Sequence, residues 1–139
     1  MRVRTRGFTL MEMMVVVVLV GIIAAFAIPN YQKTVRRGHE RDMIMQLTAL
    51  HGGCEIYKAK TGAYWSDDLG NFTAINDTLQ INIIPLDETT YDYQSPFAGS
   101  GTYRATATWN GTTIGVNQNP IDATSNPFCI PAGNCLMAP

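Results

Sequence analysis

Twenty-one consecutive residues, Phe8 to Ile28, carry only two polar side chains, Thr9 and Glu12. As a helix this run is about 31 Å long, the thickness of a bilayer core. Twelve of its residues are Phe, Leu, Val or Ile. Together they offer roughly −4 to −7 kcal/mol of insertion free energy, against a cost of up to ~3 for one acid at the helix centre and less near its end. Insertion therefore wins in spite of Glu12. Val15 to Val18 form a soluble helix poorly, but in lipid every backbone group must bond internally and the helix has no competitor.

The flanks are basic on both sides. Arg2, Arg4 and Arg6 precede the run, and Lys33, Arg36, Arg37 and Arg41 follow it, so charge counting leaves the orientation open. Two processing routes fit. A secretory signal would end in the small-x-small site Ala25-Phe26-Ala27 and release a small secreted binding domain. Alternatively, the helix is retained behind a short leader ending at Gly7. Glu12 argues for the second, because the apolar core of a secretory signal gains nothing from a carboxylate.

The stretch Arg6-Gly7-Phe8-Thr9-Leu10-Met11-Glu12-Met13-Met14, continued by Val15–Ile28, Pro29, Asn30 and Tyr31, resembles the N-terminus of type IV pilins and the related pseudopilins. The resemblance covers about 30 residues. It implies that a prepilin peptidase removes leader residues 1–7 by cutting between Gly7 and Phe8, and that the new N-terminus, Phe8, is methylated. It also implies that Glu12 sets axial register by meeting the Phe8 amine of a neighbouring subunit. Met11, Met13 and Met14 stand where Ile or Leu is more usual, a conservative change in volume.

After residue 28 the pattern stays helical. Met43, Leu47, Leu50, Cys54 and Tyr57 make one apolar stripe, and Lys33, Arg36, Arg37, Glu40 and Arg41 fill the segment before it as a charged stretch. A helix reaching about residue 60 is near 80 Å long, more than one small domain can bury. Residues 8–28 are thus read as the transmembrane and polymerisation segment, and 29–60 as its amphipathic continuation. Pro29 predicts a kink or break. Gly21 is a second soft point, and the resemblance implies local melting between the two in some pili; Gly21 equally suits close helix contact. Gly52-Gly53 is a third weak point, at ~1 kcal/mol per Gly relative to Ala.

From residue 61 to 139 the composition turns to Thr, Asn, Asp and Gly. Thr61-Gly62 reads as a helix stop, followed by a connecting loop from Tyr64-Trp65 to about Asn76. Leu79-Gln80-Ile81-Asn82-Ile83 alternates like a strand ended by Pro85, and Tyr91-Asp92-Tyr93 is a second, short one. The clearest signal is a hairpin around Asn110-Gly111, a type I′ turn pair. It predicts Trp109 opposite Thr112, Ala107 opposite Ile114 and Ala105 opposite Val116. Tyr103, Ala105, Ala107, Ile114 and Val116 then share the face that covers the helix. The expected fold is α+β: a long N-terminal helix with a small antiparallel sheet packed on its C-terminal half, as the resemblance implies for a pilin.

A 79-residue head is near the size that needs a staple. Cys129 and Cys135 flank a Pro- and Gly-containing turn, and closing that loop contributes roughly 2 kcal/mol. Many pilins close a C-terminal disulfide loop, so the resemblance favours Cys129–Cys135. The sequence alone also permits Cys54 to pair with either, or to remain a buried free thiol.

No metal or cofactor is expected. His51 and Cys54 are two ligands at helical spacing, half a site at best. Asp67-Asp68 and Asp87-Glu88 read as solvated loop charges, and no catalytic motif appears. The spaced calcium-loop pattern expected of the major type II pseudopilin is missing. The sequons at Asn71, Asn76 and Asn110 are short enough to arise by chance. Residues 61–139 hold one base, Arg104, against seven acids, so the head repels phosphate and no direct nucleic-acid binding is expected. The chain reads as a structural subunit, not an enzyme. It sits singly spanning the inner membrane and then joins a homo-oligomeric helical filament, an extracellular pilus for adhesion, twitching motility or DNA uptake. Its partners are membrane lipid, the prepilin peptidase and the pilus assembly machinery. A type II secretion pseudopilin is the alternative.

Overall fold

The computed structural model describes residues 7–66, 72–84, 86, 88–97, 102–118 and 126–137. Residues 1–6 of the expected leader, the acids Asp67, Asp68 and Asp87, the sequon Asn71 and Pro85 lie outside them. The chain divides into two compact units between Val35 and Arg36.

One helix, α1 (Leu10–Thr61), runs through both Pro29 and the Gly52-Gly53 pair. Neither is the break that the sequence suggests. Gly53 has a packing role instead: a Cβ there would lie 3.0 Å from Ile81 and 3.2 Å from Leu79, so its missing side chain admits the segment that crosses the helix. The stop falls where expected. Gly62 takes φ 85°, its N–H reaches the Lys58 carbonyl at 2.8 Å, and the left-handed residue ends the helix. In the second unit, Met43, Leu47, Leu50 and Cys54 are buried, so the predicted stripe is the helix's contribution to the core. Tyr57 packs at its margin.

The connection after residue 66 departs from expectation. A short helix, α2 (Phe72–Leu79), replaces part of the predicted loop, and residues 81–84 are not a strand. Ile75 and Leu79, four apart, bury one helical face, and Ile83 is buried beyond them. Gln80 at φ 54° ends the helix. The Asn76 side chain then does what a neighbouring strand would do: Oδ1 accepts the Ile83 N–H at 2.8 Å and Nδ2 donates to the Ile83 carbonyl at 3.1 Å. The alternation at 79–83 is therefore satisfied by one amide rather than by a sheet.

The sheet is an antiparallel meander in chain order: β1 (Thr90–Phe97), β2 (Thr102–Trp109), β3 (Thr112–Asn117) and β4 (Phe128–Ile130). The hairpin has the predicted register at all three pairs, with Asn110 and Gly111 both at positive φ. The short strand read at Tyr91–Tyr93 is the middle of β1. Tyr93, Tyr103, Ala105, Ala107, Ile114 and Val116 are fully buried in one cluster with the helix stripe. Ala105 and Ala107 are the two smallest side chains on that buried face. The result is the expected α+β arrangement.

Gly115 lies under Phe128. A Cβ there would stand 2.4 Å from Phe128 Cζ and 3.1 Å from the Ala105 carbonyl. Gly115→Ala is expected to destabilise the head by ~1–3 kcal/mol through overpacking, read from the urea midpoint of the full chain in detergent.

Candidate functional site

Helix α1 begins at Leu10 because Thr9 and Glu12 cap it. Thr9 Oγ1 accepts the Glu12 N–H at 3.2 Å, and Glu12 Oε2 accepts the Thr9 N–H at 2.8 Å and its hydroxyl at 2.9 Å. This Thr-x-x-Glu reciprocal cap satisfies two donors that a helix start leaves open. The Thr9 carbonyl already takes the Met13 N–H, which places Thr9 at the cap position itself. Gly7, Phe8 and Thr9 stay outside the helix and exposed. The sequence reading assigned Glu12 a role and missed Thr9, although the spacing that pairs them is legible.

Beyond the cap the helix presents apolar side chains all round. Every large hydrophobic residue from Phe8 to Ile28 is exposed, and the helix is long and apolar enough to cross a membrane. Gly21 has nothing within 4 Å of the place a Cβ would occupy, so no contact within this unit requires glycine there. Pro29 lies inside the helix, where it removes one backbone bond.

In the second unit, an ion network centred on a buried carboxylate holds the C-terminal loop to α1. Glu40, which the sequence shows only as one member of the charged stretch before the stripe, is fully buried. Its Oε1 takes Arg36 Nε at 3.0 Å. Its Oε2 takes the N–H groups of Leu136 at 2.6 Å and Met137 at 2.9 Å. Arg36 also donates to Thr112 Oγ1 at 3.3 Å and to the Asn134 carbonyl. The hidden signal is that Glu40 continues the 3-4 spacing of Met43 and Leu47 one step towards the N-terminus. The same loop is closed by the disulfide Cys129–Cys135, with Cα atoms 6.1 Å apart.

Cys54 is a free, buried thiol. It lies among Tyr64, Tyr93 and Tyr103, and its Sγ donates to Tyr93 at 3.7 Å. Burial pushes its pKa up to about 12; the Tyr93 bond opposes this and Glu55 adds to it. Burial, with a hydrogen bond and charge from Glu55, likewise pushes Tyr64 up to about 12. Both groups hold their protons more tightly when folded, so above pH 9 the unfolded chain binds fewer protons and stability falls as pH rises towards 12. At pH 8 Cys54 is expected to resist a maleimide in the folded chain and to react fully in urea, a difference of at least ~100-fold in rate. Mass spectrometry of the labelled chain reads it.

His39 and His51 do not converge on a metal site. His39 stacks on Trp109 with ring centroids 4.0 Å apart, and His51 Nδ1 hydrogen-bonds the Tyr103 hydroxyl. Among the described residues no group of three or more His, Cys, Asp or Glu is placed to hold a metal. The sequon Asn76 spends its side-chain amide on Ile83, and Asn110 sits in the hairpin turn.

Residues 2–28 match the family model for the prokaryotic N-terminal methylation motif. The chain is 34% identical over 67 residues to "Type II secretion system core protein G" of Klebsiella pneumoniae, a stretch covering 48% of each chain. It is 37% identical over 64 residues to the protein of that name from Vibrio cholerae serotype O1, covering 46% of this chain and 44% of the relative. It is also 48% identical over 61 residues to "Type IV major pilin protein PilA" of Myxococcus xanthus, covering 44% of this chain and 28% of that one. The chain thus spans about half the length of the secretion-system relatives, and less of the pilin. By these matches the chain is similar to type IV pilins and to type II secretion core proteins over about half its own length. Neither of these names is that of an enzyme.

Proposed function

We propose that the chain is a type IV pilin, a structural subunit that polymerises through its N-terminal helix. The exposed, apolar surface of α1 from Leu10 to Ile28, led by a non-helical Gly7-Phe8 bond and a capped carboxylate at Glu12, carries this reading. Such a surface needs lipid or other helices around it. The subunit waits as a single-pass inner-membrane protein, loses residues 1–7 to a prepilin peptidase and is methylated at Phe8. It then moves into a fibre outside the cell through the pilus assembly machinery, with neighbouring helices replacing lipid. Apolar surface stays out of water in both states, so the transfer needs little net free energy. Glu12 pairs with the Phe8 amine of a neighbour, and Gly21 and Pro29 mark where the helix melts or packs closely. Adhesion, twitching and DNA uptake are the uses of such a fibre. A pseudopilin of type II secretion is the second reading, supported by the relatives named as secretion core proteins.

The test is N-terminal and intact mass spectrometry of protein from surface-sheared filaments. A chain beginning at methylated Phe8 is the expected result. A chain beginning at Ile28 would lack the polymerisation helix and overturn the proposal. Sheared fibres made only when a type II secretion system is overexpressed would favour the pseudopilin.

A further inference from the structure

The fold sorts the exposed charges of the second unit by sign. In sequence, α1 after Arg36 mixes bases with acids. In the structure each acid there is turned inward: Glu40 is fully buried in its ion network, Asp42 is half-buried with one carboxylate oxygen enclosed, and Glu55 is half-buried and holds the Tyr64 hydroxyl. Arg37 and Arg41, one turn apart, stay exposed, as do Lys58 and Lys60. The fully exposed charged side chains of this part of the helix are therefore all bases.

The head is the reverse. Asp77, Glu88 and Asp92 are exposed. Arg104, the one base after residue 61, is half-buried with its guanidinium 4.8 Å from the centre of the Phe128 ring. The exposed charges are thus divided by element, bases on α1 and acids on the head, in a chain of net charge −1. Two different patches on one molecule, each complementary to the other, make a heterologous contact, the kind that propagates an open helix instead of closing a dimer.

We infer that the Arg37–Arg41 face of α1 docks on the acidic head surface of a second copy of this chain, and that this contact orders heads along the fibre. The inference rests on the filament reading above and names the partner of a surface that reading leaves unassigned. Complementary fields steer approach and reject a like-charged register, and salt screens them, because the Debye length shrinks from about 10 Å at 0.1 M to about 3 Å at 1 M.

The experiment uses the full chain in an assembling host, with sheared-filament yield as readout. Detergent-extracted subunit beginning at Phe8 and maleimide protection of Cys54 serve as controls for processing and folding. Arg37→Glu with Arg41→Glu is expected to lower yield at least tenfold while both controls hold. Asp77→Lys with Glu88→Lys and Asp92→Lys is expected to do the same. Combining all five changes restores yield to within about threefold of the natural chain, since the two surfaces are again opposite. Unchanged yield in the helix variant overturns the inference. So does a combined variant no better than its parents; if the helix variant also loses binding to vesicles of phosphatidylglycerol, the face belongs to lipid headgroups instead. Arg37→Gln with Arg41→Gln, a milder change, covers the case in which reversal disturbs folding. Failure of the natural chain to form filaments beginning at Phe8 is a different result, and overturns the filament reading itself.

Discussion

Replacing Glu12 by Ala is expected to reduce sheared filaments at least 100-fold while cleavage after Gly7 proceeds. Within the chain the loss is small. Glu12 contributes the return half of the Thr9 cap, worth ~1 kcal/mol. Between chains the loss is large. In the proposed filament, a positive Phe8 amine among apolar helices without a carboxylate would cost several kcal/mol, and a mostly aliphatic surface from Leu10 to Ile28 would offer little else to define axial register. Glu12→Gln separates the two roles, because an amide oxygen still accepts from Thr9 but carries no charge. Filament yields, with mass spectrometry of the membrane fraction, check both variants. Full assembly of the Gln variant would falsify charge pairing and leave Glu12 as a cap alone.

The second large effect is at Glu40. Glu40→Ala is expected to cost the head ~2–3 kcal/mol, because it leaves two part-buried N–H groups without their acceptor and a one-third-exposed Arg36 without its carboxylate. Urea unfolding of the full chain in detergent, followed by tryptophan fluorescence, measures it. Trp109 reports locally, since it stacks on His39 one residue before Glu40. Replacing Arg36 and Glu40 together by Met should recover part of the loss, as buried ion pairs often contribute little more than well-packed apolar side chains. A cost under about 1 kcal/mol for Glu40→Ala would show that the loop is held by its disulfide rather than by the carboxylate.

What could be read from the sequence, and what could not, divides along lines of range. The hairpin was legible to the residue because Asn110-Gly111 dictates its turn and period-two alternation dictates its faces. The helix stop at Thr61-Gly62 and the stripe from Met43 to Cys54 were legible for the same local reasons. At residues 79–83 local pattern misled: the apolar alternation was real, but Asn76 satisfied the backbone that a strand would have left open. Gly53 looked like a weakness because what fills its space comes from Leu79 and Ile81, some 26 residues away. Glu40 was hardest, since a carboxylate's burial depends on which donors arrive. Its donors come from the C-terminal loop, whose position no local rule supplies. At the N-terminal end, Phe8 and Glu12 were found by resemblance, and Thr9 was overlooked although the reciprocal cap needs only its spacing.

The Glu40 network also imposes an order of events in time. Glu40 is separated by 96 residues from the nearer of its two backbone donors, Leu136. At ordinary synthesis rates the carboxylate waits roughly 5 to 20 s for them to be made. Until then neither of its backbone partners exists, and a nascent chain arrested before residue 136 lacks both donors that hold the C-terminal loop to this carboxylate.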